Sequence, residues 1–288
     1  MTPFPTATVL GAHTRRSPFT HGLHVSPDGR DFIDDNGARY SLAGIDGFLD
    51  YRLWLDGREA ALDPFVKEST ELGFDVRRVL MQGSKSQNQV LELIPANEPE
   101  WRAQLRPFGT YMNANRLLPL LTVCVDNQVI HSDLAWMFNT INEELRGLLY
   151  LVSWGNELDK NGGDPNDCPT PPDGVFWSRG SATQDKFYPP DGATASEFHP
   201  VRDYNRCLMD AVASAIYMRD HGCNMLWLDE GIPADDNSDP RRFWEFARVY
   251  ATLWSVGILH NRDSQRGRLM TPNIRRCAEA WVRGMRVD

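Results

Sequence analysis

Eight short apolar runs, most of them separated by amphipathic helical patterns, restrict the fold of this chain more than any other feature. They begin near residues 40, 74, 117, 149, 174, 195, 224 and 255. Near-continuous apolar strands that alternate with helices predict a parallel sheet covered by helices. Eight such units favour an α/β fold of the (β/α)8 barrel type, which normally takes about 250 residues. A doubly wound sheet is the alternative, but no strand is followed by a glycine-rich nucleotide-binding motif.

Capping residues and prolines indicate where the helices begin and end. Gly73 predicts a helix end, and Pro107 predicts a break in a helix over 97–116. Between 157 and 203 the sequence shows no convincing helix. Three helix starts are predicted at Asp63-Pro64, Asp239-Pro240 and Thr271-Pro272.

The N-terminal part of the chain differs from the rest. Residues 1–30 show no hydrophobic period, so we expect an N-terminal arm there. Asp28-Gly29 and Asn36-Gly37 separate short apolar stretches, a pattern typical of a β-hairpin. We therefore expect a hairpin that leads into the first strand, and a single barrel domain over residues 31–288.

Composition narrows the possible partners. The net charge is −9 and no run of Lys and Arg exceeds two residues, which argues against a nucleic-acid partner. No run of 18 apolar residues predicts a membrane span. No signal peptide is visible, so the default expectation is a cytoplasmic protein, with action outside the cell by another route left open. The five cysteines form no CxxC pair, and we predict neither a metal nor another cofactor.

Two carboxylates end apolar runs on opposite sides of the predicted barrel. Glu157 ends LYLVSWGNE, the fourth strand, and Glu230 ends NMLWLDE, the seventh. The active site of a (β/α)8 barrel lies at the carboxyl ends of its strands, so these two groups are expected to converge over a cleft. A pair of opposed carboxyl groups suits hydrolysis of a glycosidic bond.

Four motifs together resemble a known family. They are DGRDFIDDNGARYSLAGID at 28–46, GFDVRRVL at 73–80, SWGNE at 153–157 and LWLDEG at 226–231. In order and spacing they resemble the retaining (β/α)8-barrel glycoside hydrolases of the cellulase and mannanase clan. The resemblance covers about residues 28–285.

The resemblance implies roles for individual residues. Glu157 would be the general acid/base and Glu230 the nucleophile. Asn156 would hydrogen-bond the sugar 2-hydroxyl, and Arg78 would hold Glu230 ionised. His199 falls near the sixth-strand histidine of the family, but position 201 is Val where the family usually has Tyr.

Further substrate contacts are predicted from strand ends and aromatic residues. They are Arg202, which follows the sixth strand, His260 at the end of the eighth, and Trp154 and Trp177 as sugar platforms. Large aromatic side chains fill protein cores as readily as they line sugar clefts.

Three functions are compatible with these residues. The first is a glycoside hydrolase that cleaves a β-linked glycan or oligosaccharide by a retaining two-carboxylate mechanism. The second is a catalytically inactive carbohydrate-binding or structural barrel in a larger assembly, favoured by the missing Tyr. The third is a metal-dependent hydrolase that uses His199 and His260, although the sequence has no HxH or HExxH spacing.

Overall fold

A small antiparallel sheet precedes the barrel. The computed structural model describes residues 17–82, 99–125, 132–183, 187–199, 207–261, 263 and 267–286. After helix α1 (Pro18–His21), strands β1 (His24–Val25), β2 (Phe32–Ile33) and β3 (Arg39–Tyr40) pair in the order β1–β2–β3. Gly29 and Gly37 take φ values of 71° and 80° in the two turns, which glycine adopts without steric cost. The predicted hairpin is confirmed and gains a third strand.

Eight parallel strands then form a nearly closed barrel. They are β4 (Leu42–Asp46), β5 (Val76–Leu80), β6 (Leu118–Cys124), β7 (Leu151–Gly155), β8 (Phe176–Ser178), β9 (Ser196–Phe198), β10 (Leu226–Leu228) and β12 (Val256–Asn261). The first and last, β4 and β12, pair with each other, and a bridge from Ser178 to Ala195 joins β8 to β9. A short strand, β11 (Pro233–Ala234), pairs with the end of β12. All eight predicted strands are confirmed, and the doubly wound alternative is wrong because the strand order runs round the barrel.

Helices cover the outside of the barrel. They are α2 (Asp50–Gly57), α3 (Glu59–Leu72), α4 (Trp101–Ala114), α5 (Ser132–Glu144), α6 (Leu158–Asn161), α7 (Cys207–Asp220), α8 (Pro240–Leu253) and α9 (Pro272–Met285). Within 157–203, where the sequence pattern predicts no helix, the one-turn helix α6 and a 3-10 turn at Pro165–Asp167 do form, while the described residues 179–183 and 187–195 contain no helix. In the part of the chain that the structure describes, no helix has both the length and the apolar character needed to span a membrane.

Two of the three predicted helix starts are confirmed. The Asp239 and Thr271 side chains accept hydrogen bonds from the first-turn N–H groups of α8 and α9. Gly73 ends α3 with φ of 89°, as predicted. The start at Asp63 is wrong, because α3 begins at Glu59.

The break predicted at Pro107 is also wrong, because α4 continues through it. Pro107 and Pro64, which lies inside α3, are both exposed. Each proline removes one helical N–H donor, and on an exposed helix face the carbonyl group left without it is accessible to solvent, so we attribute the continuity of both helices to this exposure.

The barrel interior changes from apolar to polar along the strand direction. Its lower end is closed by Phe32 of β2. The centre of the Phe32 ring lies 5.1 Å from the ring centre of Phe176 and 6.2 Å from that of Trp227. At the carboxyl ends of the strands, the buried residues become charged or polar, beginning with Asp46 and Arg78. The apolar lower layer thus supports a polar layer at the end where barrel active sites lie.

Candidate active site

A histidine brings the two predicted catalytic carboxylates together. His199 follows β9, and its Nε2 lies 3.7 Å from Oε1 of Glu157 and 3.7 Å from Oε2 of Glu230. These two oxygens are therefore no farther apart than twice that distance. Glu157 follows β7 and Glu230 follows β10, so the barrel joins groups that are distant in sequence.

Glu157 occupies a strained turn between β7 and α6. Its φ and ψ of 43° and 53° are left-handed, an uncommon conformation for a residue with a Cβ. Its backbone N–H donates to Oγ of Ser181 at 3.1 Å, and Nζ of Lys160 lies 2.9 Å from its Oε2. With 13% of its side chain exposed, Glu157 is the catalytic candidate that solvent reaches. Such strain, when the surroundings hold it in place, is a common property of functional sites.

Two glycines let the loops around Glu157 pack closely. Gly180 has φ of 89°, and a Cβ at this position would meet the backbone of Gly155. Ser181 donates its N–H to the carbonyl of Gly155 at 2.9 Å, and Leu158 donates to the carbonyl of Ser181 at 2.9 Å. The loop after β8 therefore fixes the turn that presents Glu157.

Glu230 is held from several sides in a buried position. Only 4% of its side chain is exposed. Nη1 of Arg78 donates to its Oε1 at 3.0 Å, and Nδ1 of His260 lies 3.7 Å from its Oε2. Its backbone N–H donates to Oδ1 of the preceding Asp229 at 2.6 Å. These contacts fix the orientation of the carboxylate.

Arg78 links the two halves of the site. Its Nη2 donates to Oδ1 of Asn156 at 2.9 Å and lies 3.5 Å from Oδ2 of Asp229. The guanidinium also lies 5.5 Å from the centre of the Phe48 ring. Burial alone would lower the pKa of Arg78, but Asp229 and Glu230 more than offset this and raise it. Arg78 is therefore a permanent positive charge beside Glu230.

His199 is the second positive charge of the site. Its Nδ1 lies 3.2 Å from Oδ1 of Asp229. Burial opposes its protonation, but Asp229, then Glu230, and then Glu157 raise its pKa to about 9. Burial likewise would raise the pKa of Asp229, yet His199 and Arg78 lower it. His199 and Asp229 therefore form an ion pair at neutral pH.

Three buried acids in this layer were not among the predicted site residues: Asp46, Glu197 and Asp229. Oδ2 of Asp46 lies 2.6 Å from Nδ1 of His260. Oε2 of Glu197 accepts a hydrogen bond from Oγ of Ser153 at 2.5 Å. Burial, and then the charge of Asp229, raise the pKa of Glu197 to about 7. The signal was available for Glu197, since it lies two residues before His199 and so shares its inward face.

The structure does not bring Trp154 and Trp177 to this site. Trp154 packs against Phe138 of α5, with ring centres 5.7 Å apart, and donates its Nε1–H to the carbonyl of Asp164. Trp177 packs against the same ring at 6.4 Å. Both indoles lie between the barrel and the helices, so the prediction that they are sugar platforms is corrected. Arg202 lies outside the described residues.

Comparison with solved structures identifies barrel glycoside hydrolases. A protein described as a glycoside hydrolase aligns with a TM-score of 0.66 and 11% identity, over 89% of this chain and 69% of its own. A family 5 glycoside hydrolase from Bacteroides vulgatus aligns with a TM-score of 0.64 and 12% identity, over 87% and 65%. A β-1,4-D-mannanase from Cryptopygus antarcticus aligns with a TM-score of 0.55 and 11% identity, over 90% and 93%. No family model and no curated protein matches the sequence.

These TM-scores establish the fold, and at identities of 11–12% they establish the fold alone. The chain spans about two thirds of the length of the first two structures. Among the described residues, no group of three or more His, Cys, Asp or Glu side chains is arranged to hold a metal ion. The resemblance read from the four motifs is confirmed at the level of architecture: the chain has the (β/α)8 barrel fold of the family 5 glycoside hydrolases, in a divergent sequence.

Proposed function

We propose that this protein is a glycoside hydrolase that cleaves a β-linked glycan or oligosaccharide with retention of configuration. The observation that carries the proposal is the position of His199, whose Nε2 lies 3.7 Å from both Glu157 and Glu230. The resulting upper limit on the carboxylate separation includes the roughly 5–5.5 Å typical of retaining enzymes. It also overlaps the lower part of the roughly 6.5–9.5 Å range typical of inverting enzymes, so retention is proposed from the resemblance of the four motifs together with this geometry.

In this proposal Glu230 is the nucleophile. Its contact with Arg78 favours the ionised form, since an opposite charge at hydrogen-bond distance stabilises a carboxylate. A carboxylate oxygen of Glu230 attacks the anomeric carbon, and the bond to the leaving oxygen breaks. The nucleophile loses its charge as the glycosyl ester forms.

Glu157 is the general acid and then the general base. It transfers its proton to the leaving oxygen in the first step and takes a proton from water in the second. Its partial exposure suits this exchange with substrate and water. The hydrogen bond from its backbone N–H to Ser181 holds Glu157 in place for both steps.

Asn156 is oriented to bind the sugar. Because its Oδ1 accepts from Arg78, its NH2 group is turned away from the guanidinium and has two N–H donors to offer. We assign one of them to a sugar hydroxyl next to the anomeric carbon. A single catalytic domain over residues 31–288 completes the proposal.

A product analysis tests the function. Wild-type protein is incubated with a panel of aryl β-glucosides, β-mannosides and β-linked oligosaccharides, and the first anomer released is read by NMR. We expect a β-anomer product that later mutarotates. An α-anomer as the first product would contradict the retaining mechanism.

Variants of the two carboxylates separate catalysis from binding. Glu230→Ala is expected to abolish turnover, and azide should restore it by forming an α-glycosyl azide. Glu157→Ala with azide should instead give the β-glycosyl azide. Binding of glycans by a wild-type protein that hydrolyses none of them would support the alternative of an inactive carbohydrate-binding barrel.

A further inference from the structure

We propose that His260, oriented by Asp46, is a positioning residue that allows two buried carboxylates, Asp46 and Glu230, to lie close together. The proposal rests on the function proposed above, because it concerns the carboxylate assigned as nucleophile. It adds a group to that site which acts on Glu230 and not on the sugar.

Barrel closure places the three groups together. Strands β12 and β4 are neighbours, and the pairing of Leu259 with Ile45 puts His260 beside Asp46. Nδ1 of His260 lies 2.6 Å from Oδ2 of Asp46 and 3.7 Å from Oε2 of Glu230. All three side chains are at most 4% exposed.

The short contact fixes the position of a proton. An imidazole nitrogen and a carboxylate oxygen 2.6 Å apart must have a hydrogen between them, because two lone pairs at this distance would repel. Because ionised Asp46 can only accept, we assign this hydrogen to Nδ1, which then donates to Oδ2 of Asp46 and places the positive end of the N–H group near Glu230. Without it, two buried carboxylates would face each other, which strongly disfavours ionisation of one of them.

Asp46 depends on this contact. Its Oδ1 has no hydrogen-bond partner among the described residues. The pKa of Asp46 is raised overall, chiefly by burial and further by the charge of Glu230, and the hydrogen bond and charge of His260 are the main causes that oppose this rise. The charge of Arg78, the partner of Asp46 across β4 and β5, also lowers it, but by less than His260 does.

The remaining neighbours complete the charge environment. Nη1 of Arg78 on β5 donates a hydrogen bond to Oε1 of Glu230. Nε2 of His199, which follows β9, lies 3.7 Å from Oε2 of Glu230. The ring of Phe48 lies 6.1 Å from the imidazole of His260 and contacts Arg78, so it shields both from water. In such a poorly hydrated position, a misplaced charge has a large effect on its neighbours.

Three variants test the proposal through the pH dependence of kcat/KM. In His260→Leu the proton between the two carboxylates is lost, so we expect the acidic limb of the profile to move up by about one to three pH units. In Asp46→Asn the negative charge that would repel Glu230 is itself removed, so the acidic limb should remain near that of the wild type. In the double variant His260→Leu/Asp46→Asn the limb should return at least halfway towards the wild type.

The double variant distinguishes positioning from structural support. If His260 served only to fill space, a second substitution in the same contact would reduce activity further without restoring the limb. An unchanged limb in His260→Leu, or no return in the double variant, would overturn the proposal. Thermal unfolding and near-ultraviolet circular dichroism identify variants that fail to fold. If His260→Leu is one of them, His260→Met, which also lacks a donor, replaces it with the same expected shift.

A second measurement does not require activity. Nitrogen-15 NMR of the imidazole side chains should show His260 with hydrogen on Nδ1 at neutral pH. An Nδ1 without hydrogen at neutral pH would overturn the proposal even in an active enzyme. A wild-type protein that hydrolyses no β-glycoside would refute the proposed function, while the NMR result would still decide the role of His260.

Discussion

Glu197 provides a quantitative test of the electrostatics of this site. The substitution is Glu197→Gln, which keeps an acceptor for the hydroxyl of Ser153 but removes the titratable proton. In the folded protein, burial raises the pKa of Glu197 from about 4.5 to about 7. The folded state therefore retains a proton that the unfolded chain has already released between these two values. Stability should fall as the pH rises through this window, and the full cost applies above about pH 7.

The magnitude follows from the two values. One pH unit of difference corresponds to about 1.4 kcal/mol, so a rise from 4.5 to about 7 corresponds to about 3 kcal/mol. We expect Glu197→Gln to be more stable than the wild type at pH 8 by up to about 3 kcal/mol. Near pH 4.5 the two proteins should be similar, since Glu197 is then protonated in the folded wild type.

Urea unfolding at pH 4.5, 6 and 8 measures this difference. Glu245→Gln, at an exposed position on α8, is the matched control and should follow the wild type at each pH. If Glu197→Gln and the wild type had parallel pH dependences, the reasoning would be refuted. The same holds if the variant were less stable than the wild type at pH 8.

Three other substitutions give distinct outcomes. Glu157→Gln should lower kcat for glycosides with poor leaving groups by about 10²–10⁴-fold, because general acid catalysis is lost. The first step with dinitrophenyl glycosides should be affected far less. Equal losses on both substrates, measured by steady-state kinetics, would contradict the role of Glu157 as general acid. Arg78→Lys keeps the charge but loses the fork that reaches both Glu230 and Asn156. One lost charge-assisted hydrogen bond of about 1.5–3 kcal/mol predicts a fall in kcat/KM of about 10- to 150-fold, and an unchanged value would contradict the assignment. Trp154→Ala should reduce the free energy of unfolding by about 3–5 kcal/mol, because the indole is buried. The KM of the folded fraction should be unchanged. A raised KM with unchanged stability would restore the prediction that Trp154 is a sugar platform.

Strand positions were predictable because the pattern that encodes them is local. Each barrel strand is an apolar run between turn residues, and all eight runs form strands. Helix ends at Gly73 and starts at Asp239 and Thr271 were also predictable, since caps act through their own backbone neighbours. The error at Pro107 has a tertiary cause, because its exposure decides whether the helix tolerates it.

The strand alternation could have excluded the tryptophan platforms. Alternation that points Ser153, Gly155 and Glu157 inward points Trp154 outward. The same reasoning applied to β8 directs Trp177 towards the helices. Shared parity with Glu157 was therefore a better criterion for a site residue than aromatic character.

Contacts across the barrel closure could not be read from local sequence. Asp46 and His260 are 214 residues apart and meet because the first and last barrel strands pair. Glu197 was recognisable as an inward residue, yet its environment depends on Ser153 and Asp229, which come from two other strands. Contacts of this kind can be predicted only when the closure of the barrel and the register of its strands are known.

Trapping of the nucleophile tests the central claim most directly. A 2-deoxy-2-fluoro β-glycoside with a dinitrophenyl leaving group reacts with a retaining enzyme but hydrolyses slowly, so the glycosyl ester accumulates. We expect the intact mass of the wild type to rise by one fluorosugar, and peptide mapping to place that sugar on Glu230. Glu230→Gln should gain no mass. A label on another residue, or no label on a wild-type protein that cleaves β-glycosides, would contradict the account.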